Sequence, residues 1–179
     1  MKMLIFVFAL LYSSMNFAAG VQVELLKVED GDTLVVDLAG KQERIQLLGI
    51  DAPEDSMNPK LKVDMARSGL SADELLPLGQ EASDYLRGLV RPGDKLLLSG
   101  DLKQRDRYGR IAAQVEMTNG LSVNITLVAA GYARPLKPET LSKNLRQQLE
   151  QAWQQASEQQ RGLMASQPSA FQAWMKAQR

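Results

Sequence analysis

Two short stretches carry carboxylates at spacings that suit chemistry. "EDGDT" (29 to 33) sets Asp30 and Asp32 around Gly31, and "DAPE" (51 to 54) sets Asp51 and Glu54 three positions apart around a proline. A third stretch, "DRYGR" (106 to 110), offers Arg107 and Arg110 beside Tyr108. Taken singly, each has a plain reading: Asp and Gly favour tight turns, "DAPE" ends a strand in a polar turn, and "DRYGR" suits a solvated hairpin. An EF-hand is excluded, because the first stretch lacks that loop's sixth-position Gly and twelfth-position Glu. Taken together they say more. Asp32 and Asp51 supply hard oxygen ligands for a divalent cation, Glu54 is left to activate water, and an arginine is at hand to neutralise a phosphoryl group. Those are the parts of a metal-assisted phosphodiesterase.

Composition narrows the alternatives. The 179-residue chain contains no cysteine and no histidine. Disulfides, thiolate metal sites, Cys nucleophiles and Ser-His triads therefore have no residues to work with, and catalysis rests on carboxylates, Arg, Lys, Tyr or a hard metal. With 21 basic and 21 acidic side chains the formal charge is zero, so a nucleic-acid partner is met by a local patch rather than a global field. The 45% apolar content suits one globular domain.

The elements that must position these groups follow from periodicity. "VQVELLKV" (21 to 28), "TLVVDL" (33 to 38) and "ERIQLLGI" (43 to 50) read as a three-stranded antiparallel meander that delivers "DGDT" and "DAPE" from its turns and end. Residues 55 to 78, broken by Pro59, Gly69 and Pro77, read as a long loop with one short helix. A helix follows from Gly79 to Val90, then a strand at 95 to 102, a strand at 111 to 117 turning at Asn119 and Gly120, and a short helix in "SVNITLVAAG". The clearest helix carries Leu141, Leu145, Leu149, Ala152, Trp153 and Ala156 on one stripe and ends at Gly162. Five strands with interspersed helices make an α+β domain on a closed or partly closed barrel.

Residues 1 to 20 have the form of a secretory signal peptide: Lys2, an apolar stretch from Met3 to Tyr12, and small residues at Ala18, Ala19 and Gly20. The apolar stretch falls short of the roughly 20 residues that span a bilayer, which disfavours a membrane anchor. The expectation is an exported chain, periplasmic or secreted and free of the membrane after cleavage, with a domain at 21 to 165 and a peripheral tail at 166 to 179.

At this point the chain resembles the staphylococcal-nuclease-like thermonuclease family. The matching pieces are "DGDT" (30 to 33), "LLGIDAPE" (47 to 54), "GQEA" (79 to 82), "DRYGR" (106 to 110), "VNITLVAAGYA" (123 to 133) and "RGLM" (161 to 164), in the family's order over roughly residues 24 to 165. The resemblance implies a five-stranded OB-fold barrel with about three helices, acting as a monomer. It also implies calcium-dependent hydrolysis of DNA and RNA to products ending in a 3′-phosphate. By the same resemblance Asp32 and Asp51 are carboxylate ligands of calcium and Ala52 contributes its backbone carbonyl. Glu54 is the general base, Arg110 contacts the scissile phosphate, and Arg107 and Tyr108 hold a flanking phosphate or nucleotide.

Departures from the family pattern bear on the chemistry. Where the family has an arginine five residues before the Asp of "DAPE", this chain has Gln46, with Arg44 on the same strand face two residues earlier. The segment between "DAPE" and "GQEA" is longer and holds Lys60, Lys62 and Arg67, which read as a solvated face or as a substrate clamp. "ARPLKPET" lacks the expected tyrosines, and Met164 replaces a usual tryptophan. Two function classes stay open: a nuclease slowed by the missing guanidinium, and an OB-fold nucleic-acid-binding module that keeps the metal pocket without turnover.

Overall fold

The computed structural model describes residues 20–136 and 141–177; the expected signal peptide lies almost wholly outside these residues. Strands β1 (Val21–Val28), β2 (Thr33–Leu38) and β3 (Lys41–Leu47) form the expected antiparallel meander. Later in the chain β5 (Lys95–Ser99) and β6 (Ile111–Met117) close it into a barrel of order β1-β2-β3-β6-β5. Closure leaves the sheet no free edge and seals an apolar interior, in which Leu25, Leu34, Ile45, Leu47, Ile111 and Val115 are wholly buried.

Two registers decide what meets at one end of this barrel. In the antiparallel β2–β3 pair Thr33 stands opposite Gln46. β3 and β6 run parallel, with Ile45 opposite Ile111, so that Arg110 enters the sheet beside Arg44. The "DGDT" turn is pinned to β3 by the Leu47 amide, which donates to the Asp32 carbonyl at 2.8 Å. After β3 the chain continues into the two-residue strand β4 (Ile50–Asp51), which pairs antiparallel with β7 (Arg134–Pro135).

Helix α3 (Val123–Ala129) locks that end from behind. Its Asn124 is fully buried and fully bonded: the amide nitrogen donates to Leu48 O at 2.9 Å and to Ala113 O, and the amide oxygen accepts from Val115 N at 2.9 Å. One side chain thus ties α3 to β6 and to the chain leading into Asp51, which gives the Asn of "VNITLVAAGYA" its structural reason. Helix α4 (Lys143–Glu158) buries Leu145, Leu149, Ala152 and Ala156, as its stripe predicts.

Between residues 55 and 78 the structure departs from the expected loop. Helix α1 (Pro59–Ser68) starts at Asn58, whose side chain accepts from Leu61 N at 2.8 Å, and stops at Gly69, φ 73°. Helix α2 (Ala72–Leu89) begins seven residues before Gly79, held at its start by the Glu74 carboxylate accepting from Ser71 N at 2.8 Å. "NP" and "SADE" are local helix-start signals, and Pro77 is a local signal against a helix. Inside α2 it forgoes a single backbone bond while Leu75 and Leu78 are buried on the same helix.

The tail expected at the periphery is also folded in. Short α5 (Leu163–Ser166) leads to α6 (Pro168–Ala177), and Phe171 and Trp174 join Leu61, Leu75, Leu78 and Leu163 in a second apolar cluster beside the barrel. Phe171 and Trp174, three residues apart on one face of α6, are both buried in this cluster and so anchor the helix. Among the described residues there are six helices, rather than about three, and none is long and apolar enough to cross a membrane.

Gly79 explains the "GQEA" motif. A Cβ there would lie 2.2 Å from the backbone carbonyl carbon and oxygen of Glu54, so α2 packs directly on the "DAPE" turn. In an ordinary helix Gly→Ala stabilises by up to ~1 kcal/mol. Here Gly79→Ala is expected to destabilise by about 2 kcal/mol through overpacking, read from urea unfolding curves.

Candidate active site

The acidic end of the barrel is assembled from backbone turns. Asp30 accepts from the Asp32 amide at 3.0 Å and so shapes the turn, the plain reading of "DGDT". Asp32 faces inward, 6% exposed, with one carboxylate oxygen accepting from the Ala52 amide at 2.9 Å and the other from the Thr33 hydroxyl at 3.2 Å. Asp51, 7% exposed, follows from the β4–β7 pair. The fold thus brings Asp32, Asp51 and Ala52 together, with Glu54 one turn further on.

Burial and mutual repulsion make this an electrically strained corner. Asp30 is pushed up to about 8, first by burial and then by the Asp32 charge, with Glu54 adding to it. Asp32 is raised as well, chiefly by burial, with Lys60 opposing and Asp51 reinforcing the shift. Carboxylates held this close call for cations.

Two cations answer, and neither was foreseen from the sequence. Arg134 on β7 directs Nε and Nη2 to Asp51 Oδ2, both at 2.9 Å, and its guanidinium lies 5.6 Å over the Trp174 ring. Lys60, near the start of α1, places its ammonium 2.7 Å from Glu54 Oε1, 3.1 Å from Asp51 Oδ1 and 3.3 Å from the Ala52 carbonyl. Burial alone would depress this lysine, yet Asp51, Glu54 and Asp32 hold it well above the ordinary lysine range. Asn58 donates to the other oxygen of Glu54, so both carboxylate oxygens are engaged by the first turn of α1. Lys60 stood in the sequence as one of three cations with either a solvated or a clamping role; the structure seats it among the acids.

The arginine wall lies alongside. Asp106 builds the "DRYGR" turn by accepting from Tyr108 N at 2.8 Å, Arg110 N at 2.9 Å and Arg110 Nε at 2.9 Å. These bonds hold its carboxyl below the usual range although partial burial works the other way. Arg110 Nη1 reaches the Thr33 hydroxyl at 3.3 Å, and that hydroxyl lies 3.4 Å from Gln46 Oε1. Gln46 therefore meets Arg110 through Thr33. Tyr108 is half exposed, with Arg107 4.8 Å and Arg110 5.3 Å from its ring centre. Arg44 binds Glu29 through Nε at 2.9 Å and through Nη2, and points Nη1 to the Tyr108 carbonyl at 3.4 Å. Arg44, Arg110, Tyr108, Glu54 and Lys60 line one cavity of about 260 Å³.

In donor type the corner suits a hard divalent ion: Asp32, Asp51 and the Ala52 carbonyl are hard oxygen donors, and the Asp51 carboxylate, the Ala52 carbonyl and Glu54 converge on one positive charge. That charge is an ammonium, and the described residues contain no group of three or more His, Cys, Asp or Glu side chains gathered as a metal shell. The fit to calcium is thus one of chemistry and placement, conditional on Lys60.

A sequence model of the family described as staphylococcal nuclease homologue matches residues 44–166. A thermonuclease of Staphylococcus hyicus is 32% identical over 137 residues, 74% of this chain and 69% of that protein. An uncharacterised endonuclease of Escherichia coli is 32% identical over 146 residues, 77% of this chain and 80% of that protein. An endonuclease of Bacillus subtilis is 36% identical over 109 residues, where the match covers 60% of this chain and only 8% of the relative's length.

The Arg134–Asp51 pair generates a stability prediction. Removing one partner of a largely buried pair leaves the other charge poorly compensated, so Arg134→Met is expected to cost about 3 kcal/mol in chemical denaturation. Arg134→Lys should recover only part of this, because a single ammonium cannot reproduce two guanidinium N–H contacts and the stacking on Trp174.

Proposed function

Because the chain belongs to the staphylococcal nuclease homologues, we propose that it is an exported, calcium-dependent nuclease that hydrolyses phosphodiester bonds of DNA, RNA or both to 3′-phosphate products. The observation that carries this reading is the placement of Glu54, Arg44 and Arg110 in the wall of one cavity, beside oxygens of Asp51 and Ala52 that already face a positive charge. Export rests on the form of residues 1 to 20.

In this reading Asp32, Asp51 and the Ala52 carbonyl would hold the ion, which would supply positive charge beside the phosphate. Glu54 accepts a proton from water as the water oxygen bonds to phosphorus. Arg110, oriented by Asp106, donates to the oxygens on which charge grows, and the bond from phosphorus to the 5′-oxygen breaks. The 5′-oxygen leaves protonated by solvent, and the phosphate stays on the 3′ side. Tyr108 offers a ring face, with Arg107 against it, for a flanking nucleotide.

Gln46 favours a second reading, a nucleic-acid-binding module without turnover, since its amide brings no positive charge to the phosphate. The deciding experiment is a calcium-dependent cleavage assay on single-stranded DNA and on RNA, with the product ends identified. Cleavage abolished by chelation and leaving 3′-phosphates supports the nuclease, and binding without cleavage supports the module.

Two expectations refine the roles. Glu54→Gln should lower the rate of hydrolysis at saturating substrate and saturating calcium by a hundredfold or more, the size expected for loss of a general base. Arg44, already in the cavity wall, takes the part of the missing arginine. Arg44→Ala should therefore slow cleavage about tenfold, equivalent to ~1.4 kcal/mol of transition-state binding, and Gln46→Arg should change it much less. The opposite ranking in kcat/KM would assign the deficit to Gln46.

A further inference from the structure

We propose that Lys60 is the resident cation of this site, an internal competitor that a divalent ion must displace before the site can work. This rests on the reading that the site takes calcium, and it concerns a residue in the lengthened segment between "DAPE" and "GQEA".

The geometry is that of an occupied cation position. An ammonium has three N–H donors, and Lys60 finds three acceptors: Glu54 Oε1, Asp51 Oδ1 and the Ala52 carbonyl. Two of those three oxygens belong to the ligand set proposed for calcium, and the third belongs to the proposed base. One positive charge therefore closes two functions together. It occupies the Asp51 and Ala52 oxygens that would meet a divalent ion, beside Arg134 on the other oxygen of Asp51, and it holds the carboxylate that would accept a proton from water.

The segment is built to present this lysine. Asn58 caps α1 by accepting from Leu61 N at 2.8 Å while its amide nitrogen donates to Glu54, which fixes the helix start against the "DAPE" turn. Lys60 follows within the same turn of helix. A tether this short holds the ammonium at high effective concentration, and it competes without having to be captured from solution.

The side chain also has a place to go. Asp64, one turn along α1, lies 3.8 Å from the ammonium, and its carboxylate accepts the Trp174 indole N–H at 3.0 Å. Beyond it, Asp64, Arg67, Arg107 and Tyr108 line a groove of about 450 Å³ that opens from Lys60. A small swing carries the charge from Asp51 and Glu54 toward Asp64 without exposing an unpaired carboxylate, provided a divalent ion takes its former position. The double charge of that ion favours the exchange, and the tether opposes it.

The test is calcium titration calorimetry on the purified protein, on Lys60→Met and on Lys60→Gln. If the lysine-free form is at most a tenth of the wild-type population, removing the competitor tightens apparent calcium affinity about tenfold or more in both variants. The resonance of the Lys60 methylene next to the ammonium should move on calcium addition in the wild type, as the ammonium leaves Asp51 and Glu54 for Asp64. Wild-type affinity equal to or tighter than that of the variants overturns the inference and leaves the calcium reading standing. Absence of calcium binding in all three proteins sinks the calcium reading and the inference with it. Should neither variant fold, the wild-type Lys60 resonance decides: no movement at saturating calcium overturns the displacement.

Discussion

The structure turns on a concentration of negative charge at one end of the barrel. Asp30, Asp32, Asp51 and Glu54 are held there by turns and a two-residue strand whose backbone geometry cannot relax them apart. Buried carboxylates in such proximity are tolerated only when positive charge and N–H donors converge on them. Much of the chain outside the barrel is arranged to meet that need. α1 brings Lys60 and Asn58, β7 brings Arg134, and the Ala52 amide and Thr33 hydroxyl complete the shell around Asp32.

The C-terminal helix is part of the same system. Trp174 is wholly buried, its indole N–H donates to Asp64 on α1, and its ring lies under the Arg134 guanidinium. One aromatic side chain therefore supports the elements that deliver both of the compensating cations. The second apolar cluster, formed by α1, α2, α5 and α6, acts as a rigid backing for the charged corner as well as a store of hydrophobic stabilisation.

Placement of the arginine wall is a separate problem, solved by strand registers. Parallel pairing of β3 with β6 sets Arg110 beside Arg44, and antiparallel pairing of β2 with β3 sets Thr33 against Gln46. Register in a closed barrel cannot slip by one residue without turning buried side chains to solvent, so these contacts are as firm as the core itself. In a chain without histidine or cysteine, the carboxylates and guanidiniums gathered at this end of the barrel are set in place by the sheet and the turns that leave it.

By itself the sequence determined what short-range rules can carry. Short β-branched and aliphatic runs bounded by turn residues specified the meander, the 3.6-residue stripe specified α4, and the turn chemistry of "DGDT" and "DAPE" specified where the acids emerge. The motifs were enough to gather Asp32, Asp51, Ala52, Glu54, Arg107, Tyr108 and Arg110 as candidates. Helix α1 and the first turns of α2 were written in their caps but outweighed by proline. α6 was hidden because its stability lies in a cluster gathered from four helices. The cations were beyond local reading altogether. Arg134 meets Asp51 across 83 positions of chain, and Lys60 belongs to a polar stretch whose pattern is equally that of a solvated face. Which charge settles against which is decided by the closed barrel and the packed helices, since Coulomb attraction acts through space and the chain's order along its length says nothing of it.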